Sequence, residues 1–76
     1  PDTIGVGIIG AGGIARGVHI PGYQKLSNVK VVAVSDPVEA ARNSAAEQFG
    51  IENAYADFYE MLQRDDIHAI SVTTPN

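Results

Sequence analysis

The chain has 76 residues, is 45% hydrophobic and carries a formal net charge of -4, with 5 Lys and Arg against 9 Asp and Glu. The length bounds it to one small domain, and the scattered basic residues Arg16, Lys25, Lys30, Arg42 and Arg64 argue against nucleic acid or an anionic membrane as partner. No Cys is present, which removes disulfides and thiolate metal sites and agrees with a cytoplasmic location, and no apolar run approaches the roughly 18 residues of a membrane span.

The stretch "TIGVGIIG", Thr3 to Gly10, mixes Ile and Val with small residues on both faces, which predicts a strand buried on both sides. "GGIARGVHIPGYQKL" predicts a helix with Ile14, Val18 and Leu26 on one face until Pro21 breaks or kinks it. "VKVVAVSD", Val29 to Asp36, is the clearest strand, and Pro37 is placed to open the next helix. That helix, "VEAARNSAAEQFG", is alanine-rich and stops at Gly50. "ENAYAD" allows a short strand, and "DFYEMLQRDD" offers Asp57 as N-cap with Glu60 completing a capping box. "HAISVTTPN" reads as a fourth apolar strand.

Strands too far apart for hairpins, with helices between them, imply parallel pairing through right-handed crossovers. The expected fold is a Rossmann-type three-layer α-β-α arrangement with strand order 3-2-1-4, the first half of a dinucleotide-binding domain. The last strand lacks a following helix to cover it, so residues 1–76 are expected to be the N-terminal part of such a domain within a longer protein.

Glycines cost backbone entropy, so their clustering near the start requires a physical reason. The literal pattern G-x-G-x-x-G falls on Gly5, Gly7 and Gly10, inside the predicted strand, where it is an accidental match. The register Gly10-Ala11-Gly12-Gly13-Ile14-Ala15 instead fits G-x-G-x-x-A at the end of a strand and the start of a helix. In this register Gly10 makes the turn, Gly12 lets the backbone touch a pyrophosphate, and Ala15 lets the helix pack close, with the helix N-terminus facing the anion. Asp36 ends the second strand at about the spacing, roughly 20 residues, of a ribose-binding carboxylate. The competing readings are a glycine turn with no ligand and an Asp36 that only caps the next helix.

With "HIPGYQKL" after the loop, "VAVSDP", "AAEQFGI", "DFYEML" and "DDIHAISVTTPN", the chain resembles the glucose-fructose oxidoreductase / inositol dehydrogenase (Gfo/Idh/MocA) family over its whole length. The resemblance implies NAD as cofactor, with NADP possible, and hydride transfer to or from a hydroxyl carbon of a sugar, inositol or related polyol. It implies that Gly10, Gly12, Gly13, Ile14 and Ala15 surround the pyrophosphate, that Asp36 holds the adenosine ribose, and that Thr74, Pro75 and Asn76 line the cofactor groove. The family's Glu-Lys-Pro motif, whose lysine sits at the reacting centre, has no counterpart here, so no catalytic residue is expected in these residues. The substrate would be held by a C-terminal domain outside this chain, in a protein expected to be homo-oligomeric. The alternatives are a dinucleotide sensor or scaffold without catalysis, and an S-adenosylmethionine-dependent transferase, which the pyrophosphate register disfavours.

The remaining polar and aromatic residues read as structural. His19 is expected to pack or to contact another domain, His68 to lie in a solvated turn beside Asp65 and Asp66, and Arg16 and Arg42 to be solvated, with Arg42 in reach of a 2′-phosphate if it swings toward the ribose. Two histidines without carboxylates at ligand spacing make no metal site. Tyr23, Phe49, Tyr55, Phe58 and Tyr59 are expected as core and boundary aromatics, and Ser44, Ser71 and Thr73 lack the partners of a nucleophile.

Overall fold

The computed structural model describes residues 3–13 and 15–73. Among them, β1 (Ile4–Ile9), β2 (Val29–Ser35), β3 (Asn53–Tyr55) and β4 (Ala69–Val72) form one sheet in the order β3-β2-β1-β4, with every neighbouring pair parallel. Helices α1 (Ile20–Gln24), α2 (Glu39–Phe49) and α3 (Phe58–Met61) lie in the connections between strands. This is the expected order 3-2-1-4.

The run of four apolar residues Val31 to Val34 serves both faces of the sheet, and a bulge in β2 decides which of them share a face. Pairing runs Ile4 to Val29 and Val6 to Val31, then slips to Gly7 opposite Ala33, which leaves one extra residue on β2. Val31 and Val34 therefore share a core with Val6, Ile8, Ala15, Ile20 and Ala45, while Val32 and Ala33 join Met61 on the other side. Tyr23 and Phe49 pack against the first cluster and Tyr55 against the second, as boundary aromatics do.

The first two strand glycines have a packing reason. A Cβ on Gly5 would overlap the Asp66 carbonyl oxygen, and one on Gly7 would meet Ile67 Cδ1 at 3.0 Å and Met61 Cε at 3.1 Å. Glycine at these positions lets the segment before β4 and the α3 layer close onto β1. The literal G-x-G-x-x-G in the strand is thus a coincidence of sheet packing.

The first helix differs from the expected one. Ala15–His19 forms a π-helical stretch that runs into α1, and Pro21 sits just past the junction, in the first turn of α1. Ala15 and Ile20 are buried, whereas Val18 and Leu26 are exposed. The wider π turn rotates the buried face away from Val18. Ile14 lies outside the described residues.

Helix α2 ends at Gly50, whose φ of 65° is left-handed and whose N–H donates to the Ala46 carbonyl. Its N-cap is Val38, not the strand-end aspartate, and Pro37 stays in the turn before it. Asp57 caps α3 by accepting the Tyr59 amide at 2.9 Å. The α3 helix is a single turn, and Phe58 and Tyr59 are exposed on it rather than buried.

Candidate functional site

The order β3-β2-β1-β4 places β1 where successive crossovers run to opposite sides, and a cavity of about 660 Å³ opens there at the carboxyl ends of the strands. Its walls include Gly10, Ser35, Asp36, Pro37, Phe58 and Val72. The lining is mostly apolar, with two carboxylates, the half-buried Asp36 and the exposed Asp57.

Gly10 turns the chain out of β1 with a φ of 100°, a left-handed conformation open to glycine and strained for residues with a Cβ. Its N–H donates to the Ser35 carbonyl at 2.8 Å, which continues the β1–β2 ladder by one bond. Ala11 is fully buried in the core below the turn. Gly12 and Gly13 are exposed, and a Cβ built on either meets nothing within 4 Å. The space above these two residues is therefore open, so a ligand can approach the bare backbone. Ala15 is fully buried, as its packing role requires.

Asp36 is held by both sides of this corner. Its Oδ2 accepts the Ala11 amide at 2.9 Å, and its Oδ1 accepts the Val38 amide at 2.8 Å. The carboxylate thus supports the start of α2 and the glycine loop together, and its remaining lone pairs are free to accept from ribose hydroxyls. Helix support and ribose binding are compatible roles for one side chain.

Arg42 departs from the expected solvated position. Its side chain is only 17% exposed and folds back on the β2–α2 turn, donating to the Asp36 carbonyl at 3.4 Å and the Pro37 carbonyl at 3.5 Å, with Glu39 at 3.6 Å. These long contacts form because the first turn of a helix exposes carbonyls of the preceding loop to a side chain one turn on. Arg16 is likewise tethered, donating to the Ser44 hydroxyl at 2.9 Å between the π stretch and α2. His68 is not in a free turn: its Nδ1 accepts the Gly5 amide at 2.9 Å.

Thr73 is the residue whose part in this corner its sequence context hid. Its hydroxyl lies 2.8 Å from the Gly10 carbonyl and 3.1 Å from the Ile9 carbonyl, and its N–H donates to Ile9 at 2.8 Å. A polar residue at a strand end, next to the glycine turn in the sheet order, was the available signal. The neighbouring Thr74, Pro75 and Asn76 lie outside the described residues, as does Ile14 within the loop.

Residues 4–76 match the model of an oxidoreductase family described by its NAD-binding Rossmann fold, the Gfo/Idh/MocA family. The chain belongs to this family. Among its relatives, the uncharacterized oxidoreductase YrbE of Bacillus subtilis is 36% identical over 70 residues, covering 91% of this chain and 20% of that protein. The myo-inositol dehydrogenase of Lactobacillus casei, solved with NAD(H) and myo-inositol, superposes with a TM-score of 0.85 at 34% identity, covering 95% of this chain and 22% of that one. A 3-ketoreductase variant from Actinomadura kijaniata, solved with TDP-benzene and NADP, superposes with a TM-score of 0.86 at 29% identity, over 96% of this chain and 23% of that one. The chain thus spans about a fifth of the length of these Gfo/Idh/MocA relatives. Among the described residues no helix is long and apolar enough to cross a membrane, and no cluster of three or more His, Asp or Glu could hold a metal ion.

Proposed function

We propose that this chain is the N-terminal part of the NAD(P)-binding domain of an oxidoreductase that moves a hydride between a nicotinamide cofactor and a hydroxyl or carbonyl carbon of a sugar, inositol or related polyol. The observation that carries the reading is the open backbone at Gly12 and Gly13 next to the anchored Asp36 carboxylate. A pyrophosphate needs bare amides that it can touch, and an adenosine ribose needs an acceptor beside them. The Gly10–Ala15 loop would cradle the pyrophosphate, Asp36 would accept the ribose hydroxyls, and the cavity beyond Pro37 and Phe58 has the apolar lining that suits adenine. Thr74, Pro75 and Asn76 would continue the groove toward the nicotinamide.

When bound, the nicotinamide supplies the hydride chemistry. The residues of this chain bind and orient it, while proton transfer and substrate recognition fall to a C-terminal domain outside these residues. A cytoplasmic, homo-oligomeric full-length enzyme completes the reading.

The test is calorimetric titration of the full-length protein with NADH, for the wild type and Gly12→Val. The valine methyls would fill the space that the pyrophosphate needs, whereas the ligand-free loop is open there. Wild-type binding that is lost in the variant, with an unchanged circular dichroism melt, supports the reading. Equal affinity in both means that the loop is only a turn.

A further inference from the structure

The Gly10 carbonyl and the Ala11 N–H belong to the same peptide unit, and side chains from two different strand ends hold its two poles. The carbonyl faces the Thr73 hydroxyl at 2.8 Å, from the end of β4, and the N–H donates to Asp36 Oδ2 at 2.9 Å, from the end of β2. A trans peptide carries its C=O and N–H on opposite sides. β4 and β2 flank β1 on opposite sides in the sheet. The two bonds therefore fit one orientation of this peptide and oppose its rotation.

We infer that Thr73 is a positioning residue for the dinucleotide, acting with Asp36 as a clamp on the Gly10–Ala11 peptide that aims the following Gly12–Gly13 backbone at the pyrophosphate. The inference rests on the dinucleotide-binding reading. Gly10 needs such a clamp because a glycine with a φ of 100° has other conformations open to it at little cost. Thr73 is buried, so its hydroxyl is shielded from competing water, and loss of that hydroxyl leaves the Gly10 carbonyl without its side-chain donor. Asp36 keeps its second anchor on the Val38 amide whatever happens at Thr73. A loosened clamp therefore affects the phosphate end of the ligand and spares the adenosine end.

The experiment compares ADP with adenosine on the full-length protein by competition against NADH, together with residue-resolved hydrogen exchange of the ligand-free wild type. Thr73→Val, which keeps the shape and removes the donor, is expected to weaken ADP by about tenfold and adenosine by less than about twofold. Thr73→Ser, which keeps the hydroxyl, is expected to restore ADP binding. In the wild type the Ala11 amide is expected to exchange at least about tenfold more slowly than the amides of Gly12 and Gly13. Equal losses for ADP and adenosine, or no loss of either, would assign Thr73 a purely structural role or none. If Thr73→Val does not fold, the exchange result decides: equal rates at Ala11, Gly12 and Gly13 overturn the clamp. A wild type that binds neither NADH nor ADP refutes the dinucleotide reading, and the exchange rates still judge the clamp itself.

Discussion

His68 and Gly5 are joined twice: the Gly5 amide donates to His68 Nδ1 at 2.9 Å, and the His68 amide donates to the Gly5 carbonyl at 2.8 Å. Gly5 is buried at the start of β1, and the room for this double contact exists because it carries no side chain. A residue with no evident partner in the sequence thus closes the entry to β4.

Two substitutions test this joint separately. Gly5→Ala places a methyl onto the Asp66 carbonyl and is expected to destabilise by about 1–3 kcal/mol or more, as overpacking does. His68→Leu leaves the Gly5 amide unpaired and is expected to cost about 1–3 kcal/mol. Urea unfolding of the full-length protein measures both. A His68→Leu midpoint equal to the wild type would show that solvent replaces the imidazole without loss.

Cofactor preference is expected to follow from the Asp36 carboxylate. Its lone pairs can accept from the ribose hydroxyls of NAD, whereas a 2′-phosphate would meet like charge there. NAD is expected to be favoured over NADP in kcat/KM by about tenfold or more, and Asp36→Ala is expected to shrink that ratio. Arg42 opposes the preference only if its guanidinium leaves the Asp36 and Pro37 carbonyls to reach a phosphate. Kinetics with both cofactors give the answer, and a wild type that favours NADP would remove Asp36 as the discriminating group.

Acid sensitivity is expected from the pair after α3. Arg64 donates to both oxygens of Asp66, at 2.9 and 2.8 Å, and to the Tyr55 hydroxyl at 3.0 Å. The Arg64 hydrogen bonds hold the Asp66 carboxyl below its usual range, and the same bonds push the guanidinium further up. A carboxyl lowered in the folded state contributes stability above its unfolded pKa of about 3.9, and that contribution is lost as pH falls through the lower folded value. Thermal melts between about pH 2 and 5 are expected to show a shallower acid decline for Asp66→Asn than for the wild type. Because the pair is solvent-exposed, the effect is small. Parallel acid limbs in the two proteins would show that the pair does not contribute.

Local chemistry in the sequence determined the individual strands, the glycine turn at Gly10, the Gly50 cap and the carboxylate at the end of β2. Each of these depends on properties carried by a few adjacent residues: apolar patterning, positive φ at glycine, and a strand that ends on an acid. Tertiary structure alone decided which groups meet at the loop. The bulge in β2 sends Val32 and Ala33 to one face, and the π stretch turns Val18 outward; both depend on how strands and helix settle against each other, which periodicity does not encode. Glycines of one pattern were divided by their surroundings, Gly5 and Gly7 pressed by Asp66, Ile67 and Met61, Gly12 and Gly13 left open. Thr73 and Asp36 lie far apart in the chain and reach the same peptide only because parallel pairing brings the ends of β4 and β2 to either side of β1. Hydrogen bonds from two such distant residues to one peptide leave no mark on the neighbours of either, and so they become visible only in the folded sheet.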